Sequence, residues 1–232
     1  MAALLVVASS AAADLPRIML VGYWPPTNEM LRQFSQSTTQ NPGGWRGGNW
    51  QGLGYDVVSF FPEFPGGQSS NPKGNGDFEV DYQDTSEDFW RITEQVRPTA
   101  IITFSRGRAG SNWEIEAGAR NLQTWSNDYV APRQPTPSPP DASVPANFVR
   151  RSTLPMNAIE AAVDGAGLGI DAFIDDTNVV GGFLSEYLAY HGMWYQSIHS
   201  DPSDPYRMLA AGHVHVGIST PVAQAALATE IT

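Results

Sequence analysis

The 232-residue chain contains no cysteine. A disulfide framework, a thiolate zinc site and a cysteine nucleophile are therefore all excluded. Basic residues are also scarce, because 13 Lys and Arg stand against 24 Asp and Glu, which gives a formal net charge of −11. Affinity for nucleic acids and anionic membranes comes largely from clustered basic side chains. This charge balance argues against nucleic acid as a partner.

Long hydrophobic runs are absent as well, and none approaches the ~18 residues that a membrane-spanning helix needs. We therefore expect no integral membrane span. A short apolar stretch, residues 2–8, precedes small residues at 9–13. This order is typical of the end of a secretory signal, although the basic segment that normally opens one is missing. We interpret residues 1–13 as a signal-peptide remnant or a flexible extension. We expect an exported protein, periplasmic or extracellular, with a cytoplasmic location as the alternative.

What the sequence does contain is enough apolar material, 41% of residues, for one sizeable core over residues 14–232. Its 22 glycines and 18 prolines predict many turns. A Gly/Trp-rich segment at 40–54 and a segment at 131–145 that holds six prolines are predicted to be loops.

Short apolar runs bounded by glycine or proline alternate with segments of helical periodicity. The predicted strands are 17–23, 55–61, 99–104, 170–174 and 212–217, and residues 115–122 begin a short helix or strand. The predicted helices are 85–96, with Thr85 or Ser86 as its cap, 156–163, 183–197 and 221–229, and another starts with Asn28 as its cap. This pattern predicts a single α/β domain with a mixed, mostly parallel sheet and helices on both faces, an α/β/α sandwich of the phosphorylase/hydrolase-like kind. In such sheets the active crevice lies at the carboxyl ends of the strands.

Ser185 follows a Gly181-Gly182 turn and enters the first turn of a predicted helix. A hydroxyl in that position lies in the positive field of unpaired backbone N–H groups, which would stabilise an alkoxide or a nearby oxyanion. The alternative is that Ser185 is simply a helix cap, as serines at such positions usually are.

His213 and His215 alternate along a predicted strand, so their imidazoles face the same side. They could form a zinc pair completed by a carboxylate. Alternatively, one is catalytic and the other a bystander, or both are simply hydrogen-bonded. Carboxylates that could orient a histidine occur at Glu114 and Glu116 and at residues 175–176, although all of these could equally be solvated surface or turn residues.

Several segments follow one another in a recognisable order. They are VGYWPP (21–26), GYDVV (54–58), VRPT (96–99) before an apolar strand and a glycine-containing loop, Glu116 ahead of ARN (119–121), TLP (153–155), GFLSE (182–186) and HVG (215–217). From Arg17 to about Val222, this order resembles the pyroglutamyl peptidase I, or pyrrolidone carboxyl peptidase, family. The resemblance is loose in identity, since Pro26 stands where the family has a second phenylalanine and the 40–54 segment has no counterpart.

The resemblance implies a hydrolase that cleaves the amide bond after an N-terminal pyroglutamyl or similar small group of a peptide. Ser185 falls where the family has its nucleophilic cysteine, His215 would be the general base, and Glu116 would orient the imidazole. Side chains expected to enclose the substrate are Tyr23, Trp24, Arg106, Phe183 and Leu184. His213 is then structural. No metal and no cofactor are implied, and a homo-oligomer is left open.

Three explanations for Ser185 remain: a serine hydrolase, a catalytically inactive binding relative, or a Cys-to-Ser variant made to trap a complex. For the binding relative, Trp45 and Trp50 were natural candidates for part of the pocket wall. A fourth possibility is a metal-dependent hydrolase that uses His213 and His215.

Overall fold

The structure is a computed structural model that describes residues 14–232. The segment interpreted as a signal remnant or extension, residues 1–13, lies outside the described residues. Among those that are described, no helix has the length and apolar character required to cross a membrane.

Strands and helices alternate along the described chain. The strands are β1 (Arg17–Gly22), β2 (Asp56–Phe60), β3 (Ala100–Arg106), β4 (Asn112–Glu116), β5 (Gly118–Arg120), β6 (Val149–Arg151), β7 (Asp171–Asp175) and β8 (Ala210–Val216). The α-helices are α1 (Pro25–Leu31), α2 (Tyr82–Val96), α3 (Met156–Gly165), α4 (Leu184–Ile198) and α5 (Val222–Ile231). Short 3₁₀ turns occupy Arg32–Phe34 and Trp50–Gly52.

Six strands form one sheet in the order β2-β1-β3-β8-β4-β7. The strands β2, β1, β3 and β8 are parallel to one another, whereas β4 is antiparallel to β8 and parallel to β7. The remaining strands, β5 and β6, form a separate antiparallel pair. The predicted α/β class and mostly parallel sheet are confirmed.

Helices cover both faces of the sheet, because side chains that alternate along each strand enter two different cores. In β1, Leu20 joins the core under α1, α3 and α5, whereas Met19 and Val21 join the core under α2 and α4. In β8, Val214 and Val216 belong to the first core, so His213 and His215 face the side of α2 and α4.

Two helix starts differ from the prediction. The first helix begins at Pro25 rather than after Asn28, because proline is well suited to the first helical position. Asn28 is instead buried inside the helix, where its side-chain Nδ2 donates to Pro62 O at 2.7 Å. The second helix begins one turn before Thr85, because Asp81 is the cap and its carboxylate accepts the backbone N–H groups of residues 83 and 84 at 2.8 and 3.2 Å.

The region predicted as a short helix or strand at 115–122 is extended, as the end of β4 followed by β5. The sequence analysis did not predict β6, whose three residues carry no apolar alternation. The proline-bearing segment 131–145 contains neither helix nor strand, as predicted, although Asp141 within it is fully buried against Arg150.

Candidate active site

His215 and Glu116 meet on the face of the sheet that α4 covers. They come from the adjacent antiparallel strands β8 and β4, in which Glu114 lies opposite His215 and Glu116 opposite His213. Glu116 Oε1 lies 2.8 Å from His215 Nδ1, in hydrogen-bond contact. The Glu116 side chain is 1% exposed and that of His215 is 12% exposed, so the pair is nearly sheltered from water while the imidazole remains accessible.

Burial raises the pKa of Glu116, and the hydrogen bond and charge of His215 oppose that rise. The nearby carboxylates of Asp175 and Glu114 add to it. Glu116 Oε2 is buried and has no hydrogen-bond partner among residues 14–232. The carboxylate therefore depends on His215 for its one hydrogen bond within the described chain.

Ser185 occupies the second position of α4, whose cap is Phe183. It is therefore not the helix cap that the simplest interpretation expected. The turn before it requires glycine, because Gly181 and Gly182 have φ angles of 105° and 70°, which residues with a side chain rarely adopt. Within residues 14–232 the Ser185 hydroxyl makes no hydrogen bond, and it is half-buried. A free hydroxyl thus lies at the positive end of a 15-residue helix.

Glu186, next to Ser185, holds this turn in place. Its buried carboxylate accepts the Gly182 backbone N–H at 2.7 Å and Arg120 Nε at 2.8 Å. This ion pair was not predicted from the sequence, because Arg120 and Glu186 are 66 residues apart. The only available signal was an acidic residue in the first turn of a predicted helix.

A cavity of about 230 Å³ lies beyond the carboxyl ends of β1 and β3. It is lined by all five side chains predicted to enclose the substrate, together with Ser185. The other lining residues are Gln68, Val80, Ser105 and Tyr129. Gln68 and Tyr129 lie in loops without helical or strand periodicity, so no sequence pattern identified them. We call this space the apolar cavity, since six of its ten lining residues, among them Tyr23, Trp24 and Phe183, are hydrophobic or aromatic.

A second cavity, of about 350 Å³, contains the histidine. Glu114, Glu116, His215, Arg106 and Arg108 line this charged cavity. Ser185, Arg106 and Phe183 line both cavities, so the serine lies where the two adjoin. Ser185, His215 and Glu116 thus line one cavity, although no hydrogen bond among the described residues joins the serine to the histidine.

The tryptophans of the 40–54 segment line neither of these cavities. Trp45 Nε1 donates to Val57 O at 2.8 Å, and the Trp50 ring packs edge-on against Phe34 with centroids 4.9 Å apart. Neither indole therefore forms part of the wall around Ser185, contrary to the role suggested for them in a binding relative.

His213 is fully buried, and both of its nitrogens are hydrogen-bonded. Nδ1 lies 2.7 Å from Thr103 Oγ1 and Nε2 lies 2.9 Å from Ser105 Oγ. Burial lowers the pKa of His213 well below 6.5, and His215 lowers it further. Neither nitrogen is free for a cation, which argues against the possible metal pair of His213 and His215. These contacts are those expected of a structural histidine.

A different group has the composition of a metal site. Glu114, Glu116 and His215 each offer a ligand atom, and these atoms lie within 4.8 Å of one another. Burial raises the pKa of Glu114; His215 and Arg108 lower it, and Asp175 raises it further. Asp175 itself accepts the Thr177 backbone N–H at 2.8 Å and makes no hydrogen bond to His215 within the described residues. Glu116 is therefore the carboxylate that is hydrogen-bonded to His215.

The fold has close counterparts among solved structures. Pyroglutamyl peptidase I from Bacillus amyloliquefaciens superimposes with a TM-score of 0.63 at 16% identity, covering 94% of this chain and 93% of that one. The pyrrolidone carboxyl peptidase from Thermococcus litoralis has a TM-score of 0.61 at 16% identity, with 94% and 91% covered. The enzyme from Pyrococcus furiosus has a TM-score of 0.61 at 16% identity, with 93% and 95% covered.

No protein-family model matches the sequence, and no curated protein matches it either. At 16% identity, the solved structures establish shared architecture along nearly the whole of both chains. The resemblance inferred from the order of short motifs is therefore confirmed at the level of architecture. This cysteine-free chain has the fold of the pyrrolidone carboxyl peptidases.

Proposed function

We propose that the chain is a serine amidohydrolase of the pyroglutamyl-peptidase type. Ser185 would be the nucleophile, His215 the general base and Glu116 the group that orients the imidazole. The observation that carries the proposal is the 2.8 Å contact between Glu116 and His215 in a cavity that Ser185 also lines. The substrate class would be a peptide with an N-terminal pyroglutamyl or similar small group.

The first half of the reaction would form an acyl-enzyme. With Nδ1–H donating to Glu116, the other ring nitrogen of His215 is the one free to accept a proton. That nitrogen would take the hydroxyl proton of Ser185 as Oγ attacks the amide carbonyl. The tetrahedral intermediate would then collapse as His215 returns the proton to the leaving amine. Water activated by His215 would release the acid and restore the serine.

Hydrogen-bond donors lie near the position where negative charge would develop on the carbonyl oxygen. Backbone N–H groups at the start of α4 are the natural oxyanion donors, because the first turn of a helix leaves them unpaired. Arg106 lines both cavities beside Ser185 and adds a positive charge. Removing one such donor in other hydrolases costs about 10²–10³ in rate.

Substrate size would be limited by the apolar cavity. A volume of about 230 Å³ walled by Trp24, Phe183 and Leu184 suits a small, mostly apolar acyl group. The leaving peptide would then occupy the charged cavity on the side of His215, where the amine receives its proton.

The test is turnover of a pyroglutamyl-amide reporter by the parent, by Ser185→Ala and by Ser185→Cys. We expect activity in the parent and its loss in Ser185→Ala. Ser200→Ala, at an exposed serine beyond the other end of α4, is the matched control and should retain parental activity. Equal turnover by the parent and Ser185→Ala would refute Ser185 as the nucleophile.

A second candidate function is a binding protein that retains the fold without turnover. It is favoured by the missing hydrogen bond between the Ser185 hydroxyl and His215 within residues 14–232. A thiolate–imidazolium pair does not need such proton transfer at the moment of attack, whereas a serine does. Turnover confined to Ser185→Cys would support this alternative over the serine enzyme.

A further inference from the structure

We propose that Glu114, Glu116 and His215 form a binding site for a divalent transition-metal cation, and that the bound cation inhibits the serine chemistry. The site differs from a pairing of the two histidines, because only His215 takes part. Cation binding rests on the geometry of these three side chains alone. Only the inhibitory effect rests on the proposed function.

Rigid elements hold the three side chains. Glu114 and Glu116 are on β4, two residues apart and therefore on one face of the sheet, and His215 lies directly opposite Glu114 on β8. Their ligand atoms lie within 4.8 Å of one another. Ligands placed about 2.0–2.2 Å from one ion lie at most about 4.4 Å apart. A small adjustment of side chains is therefore enough for coordination.

A second observation points to a missing ligand. The Glu116 side chain is 99% buried. Its Oε2 is shielded from solvent and has no hydrogen-bond partner among residues 14–232. A buried carboxylate oxygen without a partner is costly. The same carboxylate lines the charged cavity together with Glu114 and His215, so a cation entering through that cavity would satisfy it.

The ligand set indicates the class of cation. Two carboxylates and one imidazole suit zinc and its neighbours in the transition series, whereas calcium and magnesium prefer oxygen ligands alone. Three protein ligands leave a coordination position for water, and the cavity of about 350 Å³ provides the access. Two negative charges, with a third at Asp175 on the adjacent strand, favour a dication over a monovalent ion.

Binding would compete with catalysis because the cation and the proposed mechanism use the same atoms. A cation held by His215 and Glu116 occupies the imidazole lone pair or breaks the hydrogen bond at 2.8 Å that orients the ring. The imidazole can then no longer accept a proton from Ser185.

The test measures binding separately from turnover. Tag-free Ser185→Ala protein, stripped with a chelator, is titrated with Zn²⁺ by calorimetry and with Co²⁺ by visible spectroscopy, which reports the coordination geometry. We expect one site. Adding Glu114→Gln should weaken it by at least about 100-fold, since loss of an outer-shell partner alone costs about 10–100-fold. Glu87→Gln, a matched change at an exposed glutamate of α2, should leave the affinity unchanged.

The result that overturns the site is no binding, or equal binding by the Glu114→Gln and Glu87→Gln proteins, with circular dichroism showing that both are folded. In the parent, Zn²⁺ should reduce reporter turnover, and a chelator should restore it. Activation by Zn²⁺ would overturn the inhibitory assignment. A parent without turnover whose Ser185→Ala form still binds Zn²⁺ would contradict the proposed function and leave the cation site intact.

Discussion

The hydrogen bond between Glu116 Oε1 and His215 Nδ1 determines which ring nitrogen is available as a base. Replacing Glu116 by glutamine keeps the shape of the side chain but removes the charge that stabilises a protonated imidazole. We expect Glu116→Gln to lower kcat by about 10²–10⁴, in line with the loss of the orienting acid in serine hydrolases.

The measurement is reporter turnover, with folding checked by circular dichroism. Glu160→Gln on α3, at a residue that lines neither cavity, is the control. A Glu116→Gln protein with full activity would show that His215 needs no orienting carboxylate. Because burial raises the pKa of Glu116, the parent should also lose activity on acidification at a higher pH than an ordinary glutamate would dictate.

At the scale of single residues, the side chains of the candidate site were easier to predict than the contacts that hold them in place. Motif order along the chain predicted Ser185, His215, Glu116 and five pocket side chains, and the structure places them around two adjoining cavities. Their roles in catalysis and binding stay predictions. The ion pair between Glu186 and Arg120 was not predictable, since its two residues are far apart in the sequence.

At the scale of single elements, the start of α2 gives a direct test of local structure. Asp81 caps the helix through the two N–H groups that its carboxylate accepts. We expect Asp81→Ala to lower the free energy of unfolding by about 1 kcal/mol, as is typical for loss of a cap. Asp81→Asn should retain most of the stability, because asparagine also caps well. Urea unfolding measures both, and equal losses would place the stabilising contact elsewhere, for example in the nearby Lys73 ion pair.

The Glu186–Arg120 ion pair couples α4 to β5. Glu186→Gln would leave Arg120 with a weaker partner and loosen the Gly182 turn, at a cost of about 1–3 kcal/mol in the free energy of unfolding. Glu87→Gln, on exposed surface, should cost nothing measurable. We also expect kcat to fall more than KM rises, because the change displaces Ser185 rather than the pocket walls. An unchanged kcat alongside reduced stability would limit Glu186 to a structural role.

Element types were more predictable than element ends. A buried parallel strand such as β3 is largely a continuous apolar run. Short apolar runs also revealed β1, β2, β7 and β8. The helices α1 and α2 begin a few residues before their predicted starts, because Pro25 and Asp81, rather than the first apolar residues, set where they begin. The short β5–β6 pair depends on tertiary contacts and has no periodic signal of its own.

For the whole molecule, acidification should lower the free energy of unfolding more than the composition of the chain suggests. Burial lowers the pKa of His191 from 6.5 to about 4, so the folded state resists protonation that the unfolded chain accepts. The stability this group contributes is complete above pH 6.5 and is lost as the pH falls toward 4. Between pH 8 and pH 5 the loss from His191 alone is about 2 kcal/mol.

Urea unfolding of the parent and His191→Gln at pH 8 and pH 5 checks this. The variant should lose less stability on acidification than the parent does. His213, whose pKa burial also lowers, adds a loss of the same sign in both proteins, whereas Glu114 and Glu116, with raised pKa values, act in the opposite direction in both. Identical pH dependence in the two proteins would contradict the assignment to His191.

Export of the protein stays a prediction from residues 2–13.

The position of β4 has a consequence for dissecting the chain. It lies between β8 and β7, yet it precedes the 131–145 segment while both neighbours follow it. A cut in that segment would yield two fragments whose strands must interleave, with Glu116 on one and the serine and histidine on the other. Neither fragment could complete the sheet alone. Recovery of the proposed hydrolysis would therefore report that the two fragments had reassociated, and the protein would serve as a split reporter of proximity.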